Sequence, residues 1–190
     1  MPLKRSQPYL SNVSPAKVLL FGYLSYVAVG WVLLSLPFSQ AMPVASLDNL
    51  FIVTSAVSTT GLVTVDPGQS YSFIGQLVIL VLIQLGGIGY MTFGSFIILS
   101  TRHKMSSLRS EVSRKAFALP SDFRIARFIR LVITFTLLTE LIGAILLYAI
   151  FSYNNEGNAI WLAIFHSISA FCTAGFSLFS NSFESYADNV

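Results

Sequence analysis

Charge is what this chain has least of. Only 10% of its 190 residues are Asp, Glu, Lys or Arg, against about 25% in soluble domains, so an ordinary soluble globular domain is excluded. Cysteine is nearly absent as well. Cys172 is the single one, which excludes an internal disulfide and leaves the redox compartment unread. His103 and His166 have no His, Cys or carboxylate partner at ligand spacing, so no transition-metal site is expected from side chains. No Gly-x-Ser-x-Gly elbow or Ser/His/Asp arrangement is visible. An intramembrane hydrolase would need paired catalytic groups at one depth, and Glu140 stands alone, so the chain is not expected to be an enzyme.

What fills the chain instead is apolar sequence, 54% of all residues. Crossing a hydrocarbon core of about 30 Å takes roughly 20 mostly apolar residues, and three segments reach that length: about 17–36, 73–99 and 128–151. The second, about 27 residues or roughly 40 Å as a helix, is long enough to tilt or bend. Two further apolar segments, 47–57 and 159–171, are too short to cross and fit re-entrant half-helices. The first span also lacks an Ala-x-Ala-like cleavage site, so it is expected to stay as a membrane helix. The expected class is an all-α polytopic membrane protein. Its divisions are a tail over 1–16, a first unit over 17–99, a loop over 100–126 and a second unit over 127–190.

Orientation follows from where the basic residues stand. Lys4, Arg5 and Lys17 precede the first span, and the other eight Lys and Arg lie between Arg102 and Arg130. The positive-inside rule then puts the N-terminus and the 100–126 loop in the cytoplasm of a cell-membrane protein. Residues 37–72 and 152–190 face outward and carry Asp48, Asp66, Glu156, Glu184 and Asp188, an acidic outer mouth. Beside two spans, the basic loop is explained by topology and not by nucleic acid. Within it, 106–117 is either a solvated connector or a short amphipathic helix that docks a cytosolic partner.

Local signals punctuate the spans. Pro37 ends the first. Ser46 is an expected N-cap for the first half-helix, with Asp48 in its first turn, and Asp66-Pro67-Gly68 marks a turn. Gly86, Gly87 and Gly89 inside the second span are expected to serve close helix packing or local bending. A dinucleotide fingerprint would need a preceding strand. Glu140, near the middle of the third span, must face a partner. The candidates are a residue of further repeats, a backbone donor near the short helices, or one helix–helix hydrogen bond made in its protonated form. Gln76 and Gln84 are expected to make interhelical hydrogen bonds.

The strongest pattern is a repeat. Phe51 to Leu62 recurs in diverged form at Phe165 to Phe176, and at an offset of 114 Phe, Ser, Ala, Thr and Gly coincide at 51/165, 55/169, 56/170, 59/173 and 61/175. Each copy is a half-helix running into a Thr-x-Gly turn. Irregular backbone at membrane depth is tolerated only where it is packed in protein or lines a water-filled cavity. A helix C-terminus carries roughly half a negative charge, glycine lets carbonyls turn toward a common axis, and rings of carbonyl oxygens can replace a cation's hydration shell. The turn therefore suits a hard cation bound by backbone, with no charged side chain. A secondary carrier with discontinuous helices and a non-transporting structural membrane subunit are the alternatives.

Val57-Ser-Thr-Thr-Gly-Leu62, followed by Gln84-Leu-Gly-Gly-Ile-Gly-Tyr-Met-Thr-Phe-Gly94, resembles the membrane subunits of the Trk/Ktr/HKT potassium transporters, most of all the Ktr-type membrane component. The resemblance covers nearly the whole chain. It implies helix–pore loop–helix repeats as in potassium channels, four to a chain, with one near-invariant glycine each. By resemblance, Ser58, Thr59, Thr60, Gly61 and Leu62 form one selectivity-filter segment, and Cys172, Thr173, Ala174, Gly175 and Phe176 another. Their carbonyls would bind K+. The resemblance further implies potassium uptake, sodium as an activating or coupled ion in some Ktr systems, a homodimer at full length, and a cytosolic RCK-type nucleotide-binding regulatory subunit. The chain departs from the family in holding about one and a half repeats, so a fragment is expected. Reconstituted alone in liposomes, the 190-residue chain should carry no selective potassium flux; clear selective flux would refute that expectation.

Overall fold

Long apolar runs leave the backbone one local way to satisfy its polar groups away from water, the α-helix. The computed structural model describes residues 15–89 and 125–187 and is helical there without a strand. Gln40 and Tyr71 form an isolated bridge. In chain order the helices are α1 (Pro15–Leu34), α2 (Ser46–Val57), the single turn α3 (Pro67–Ser70), α4 (Phe73–Ile88), α5 (Ile125–Tyr153) and α6 (Ala159–Phe171), with 3-10 turns at Pro37–Ser39 and Glu184–Tyr186. Among the described residues one helical stretch, Arg127–Tyr153, is long and apolar enough to cross a membrane by length and composition.

Two local expectations need correction. The residue capping α2 is Ala45, without a side-chain hydrogen bond, and Ser46 is already the first helical residue. Asp48 does lie in the first turn, where a negative charge suits the helix dipole. The second span does not run unbroken from 73 to 99. It stops at Ile88, because Gly89 adopts φ 82, outside any helix, and its N–H turns back to the Gly86 carbonyl. Residues 90–99, Gly94, His103, the 106–117 segment and most of the basic loop lie outside the described residues. Asp66 marks its turn as a true cap of α3, accepting from the Gly68 and Gln69 N–H groups.

α4 is the central element. It touches α1 and α2 on one side and α5 and α6 on the other, while α5 runs along α6. The core draws on both halves of the chain, with Ile52, Val53 and Ala56 from α2, Ile79 and Ile83 from α4, and Phe165 from α6. The outer faces of α1 and α5 stay apolar and exposed, through Leu20, Phe21, Leu131, Phe135, Leu138 and Ile142 among others. A face of that kind is suited to lipid or further protein.

Small residues set how closely the helices approach. A Cβ on Gly86 would land on the Val57 carbonyl at the end of α2, and one on Gly87 would land on the Cys172 side chain at the end of α6. Consecutive glycines on α4 thus each seat one short helix. The same device recurs one layer out: Gly30 of α1 lies over Val53, and Gly143 of α5 lies over Ser167, the residue equivalent to Val53 at the offset of 114.

These contacts predict a contrast. Gly86→Val should lower the thermal stability of the protein in detergent by about 1–3 kcal/mol, the usual cost of overpacking. Gly157→Ala, where a Cβ meets nothing within 4 Å, should change it by less than about 0.5 kcal/mol.

Candidate functional site

The two short helices end in one and the same motif. The cap of α2, Ser58, and the cap of α6, Cys172, have near-identical dihedrals (φ −85, ψ −3 and φ −74, ψ 0). Beyond them Thr59 and Thr173 enter the left-handed region at φ 50 and φ 52. The Thr60 N–H then reaches back to the Ser55 carbonyl at 2.9 Å and the Thr59 N–H to Ala56 at 3.2 Å. In the second copy Ala174 reaches Ser169 at 2.8 Å and Thr173 reaches Ala170 at 3.0 Å. This is the Schellman pattern, which glycine ordinarily closes. A β-branched residue at positive φ is a strained choice. Each threonine hydroxyl donates to the preceding carbonyl, Thr59 to Ser58 at 2.8 Å and Thr173 to Cys172 at 2.7 Å.

The turns meet two residues later. Gly61 and Gly175 both take positive φ, 81 and 71. A Cβ on Gly61 would stand 2.6 Å from the Ala174 carbonyl oxygen, and one on Gly175 would stand 3.3 Å from the Gly61 Cα. The two backbones therefore touch with no side chain between them. Among the described residues, none donates a hydrogen bond to the carbonyls of Thr59, Thr60, Gly61, Thr173, Ala174 or Gly175. Two helix C-termini, two glycine turns and a set of unused carbonyls thus lie side by side. That is an oxygen-rich, partly negative environment of the kind a hard cation prefers. Among the described residues no cluster of His, Cys, Asp or Glu could hold a metal by side chains.

Exposure differs between the copies. Ser58, Thr60 and Leu62 are exposed, whereas their counterparts Cys172, Ala174 and Phe176 are buried against the first half of the chain. One flank of the second turn is covered by the first; the corresponding flank of the first lies open, with a groove of about 160 Å³ along Phe51, Thr54, Ser58, Thr60 and Leu62. Two of the acidic residues are committed to structure. Asp66 caps α3, and Glu156 accepts a 2.6 Å hydrogen bond from Tyr186. Burial, and then Glu156 beside it, push the Tyr186 hydroxyl up to about 12. Asp188 is outside the described residues.

A family model described as TrkH, cation transport protein, matches residues 27–190. This chain belongs to the TrkH family. It is 34% identical over 174 residues to Ktr system potassium uptake protein B of Bacillus subtilis, an alignment covering 91% of this chain and 39% of that relative. It is 32% identical to the protein of the same name from Vibrio alginolyticus, over 91% of this chain and 38% of the relative. It is 30% identical to the potassium/sodium uptake protein NtpJ of Enterococcus hirae, over 94% and 40%. The chain spans about two fifths of the length of these relatives, which are transporters and not enzymes.

In this TrkH-family chain the polar side chains behind the turns form a bridge between its halves. Glu140 of α5 is buried and accepts from Gln84 Nε2 at 2.9 Å. The other end of Gln84, Oε1, faces the Cys172 thiol at 3.6 Å, and Ser167 donates to the Glu140 carbonyl at 2.6 Å. The partner of Glu140 is thus an amide on α4 and not a backbone donor near the turn, while its Oε1 has no partner among the described residues. Gln76 makes the parallel link higher on α4. It donates to the Gly68 and Tyr71 carbonyls and accepts from the Trp161 indole at 2.7 Å.

Sequence reasoning did not pick out Gly30, Gly143 or Ser167. The repeat offset carries the signal, since it relates Ser167 to Val53 and brings Gly30 to within one residue of Gly143. Glu140→Leu leaves the Gln84 amide unpaired and should destabilise the protein by about 1–3 kcal/mol. Glu140→Gln keeps an acceptor for that amide and should cost markedly less, both read by thermal unfolding in detergent.

Proposed function

We propose that this chain supplies two quarters of a potassium pathway in a Trk/Ktr-type uptake system of the cell membrane. Residues 58–62 and 172–176 act as two filter segments. The observation that carries this reading is the backbone contact of the Gly61 and Gly175 turns at the ends of two equivalent half-helices. In this reading α1, α4 and α5 cross the bilayer with the N-terminus in the cytoplasm, and α2 and α6 are re-entrant pore helices. Potassium would shed its hydration shell onto the carbonyls that no described residue uses. Further repeats would cover the open flank of the first turn at Ser58, Thr60 and Leu62, as the first turn covers the second. That arrangement is supported by the greater length of the relatives and makes this chain incompetent by itself. The proposal extends to the sodium dependence, the homodimer and the RCK-type cytosolic subunit that the resemblance implies, with 106–117 as the docking segment.

The test uses the full-length protein in a bacterial strain deficient in potassium uptake. Gly61→Ser adds a side chain where φ is 81 and the Ala174 carbonyl is 2.6 Å from the added Cβ. It should lower potassium uptake at least about tenfold, the effect of displacing ligating groups by more than about 1.4 kcal/mol. Uptake and potassium-over-sodium selectivity both at the wild-type level would overturn the filter assignment.

A further inference from the structure

Behind the second turn lies a residue that neither the repeat nor the cation chemistry uses. His166, midway along α6, is 1% exposed and stands where the first copy has Ile52. Its Nδ1 is 2.8 Å from the Leu162 carbonyl. Its Nε2 is 3.1 Å from the backbone N–H of Leu178 and 3.0 Å from the Ser177 hydroxyl. An amide N–H can only donate, so Nε2 must be the acceptor, and the ring proton then sits on Nδ1 and goes to Leu162. Ser177 also accepts from the Phe179 N–H at 3.0 Å, so its own proton is free for Nε2. The ring stacks on Phe179, with centroids 4.9 Å apart at 14°, and Phe151, Phe165 and Phe183 surround it.

The segment held this way follows directly on Gly175 and Phe176. Phe176 is itself fixed, its carbonyl accepting from Ser169 Oγ at 2.7 Å. Leu178 is pinned on both sides. Its N–H rests on His166, and its carbonyl packs so closely on Gly68 that no Cβ fits there. Gln69 next to Gly68 donates to Ser180 at 2.8 Å. One imidazole therefore locates the exit of the second turn and, through Leu178, the α3 loop that returns from the first. The first copy has no such anchor, since the Ile52 side chain cannot accept a hydrogen bond and Val63 and Thr64 are exposed.

We propose that His166, as the neutral Nδ1–H tautomer, is the positioning residue that holds the outer segment of the second filter turn in register with the first. It acts through Leu178 and touches no ion. This rests on the potassium-pathway reading for its functional consequence, but its tautomer does not.

The test has two arms on the full-length protein. In the first, 15N NMR of histidine-labelled protein should find a protonated Nδ1 and an unprotonated Nε2 for the resonance lost in His166→Gln. A protonated Nε2, alone or in an imidazolium, overturns the proposal whatever the protein transports. In the second, His166→Phe keeps the ring but leaves the Leu178 N–H unpaired. It should raise the potassium concentration for half-maximal uptake at least about fivefold, with a smaller change in maximal rate. His166→Gln, whose amide oxygen can take the place of Nε2, should stay within about twofold of wild type. Equal loss in both variants, or wild-type half-saturation in His166→Phe, overturns the proposal. Absence of potassium uptake by the wild type itself would instead strike the potassium-pathway reading and leave the NMR result to decide on His166.

Discussion

The arrangement depends on one close approach, the contact of the Gly61 backbone with Ala174 and Gly175. Two chain segments can meet this way only if neither carries a side chain at the contact and if the helices leading to them are already drawn together. Gly86 and Gly87 supply the second condition. As neighbours on α4 they present two adjacent patches of bare backbone, one seating the end of α2 and the other the end of α6. Gly30 and Gly143 then let α1 and α5 settle on the backs of the same short helices. Dispersion between close surfaces, and not a hydrophobic effect, holds helices together in lipid, and small residues maximise it.

The polar groups divide by the same geometry. The Schellman turns use the carbonyls of Ser55 and Ala56, and of Ser169 and Ala170. The threonine hydroxyls take the next pair, on Ser58 and Cys172. What remains without a described donor is the short run through the two glycines. Holding a threonine at φ near 50 costs on the order of 1–3 kcal/mol, and the chain does so at both turns. Strain repeated at equivalent positions is more readily understood as a condition for presenting those carbonyls than as an accident of packing.

Much of the fold was legible in the letters. The short helix expected over 159–171 is found there, and that over 47–57 is displaced by one residue at its start. Helix length and the Thr-x-Gly repeat were readable because they are local. The errors were of two physical kinds. Ser46 looked like a cap, yet helix begins at that residue, and side-chain identity alone cannot tell the last extended residue from the first helical one. The run 73–99 looked continuous because apolar length carries no information about the sign of φ at Gly89. Glu140 was recognisable as needing a partner, but which one was a matter of helix rotation. The answer, Gln84, is 56 residues away. His166 carried no spacing signal, since its partners are backbone groups, a serine hydroxyl and aromatic rings, most of them brought in by the return of the chain.

The sequence by itself determined the class of the protein, through its scarcity of charge, and the family, through the glycine-containing motifs. It also determined that two segments are equivalent. It could not say that those segments touch, because contact between residues 114 apart is a property of how helices pack. Only the tertiary structure decided that Gly86 and Gly87 serve different half-helices, that the flank of one turn is covered and the other open, and that one histidine anchors a single copy. The reason is the same in each case. A glycine, an amide or an imidazole has several possible uses in a sequence, and what lies within about 3 Å of it selects one.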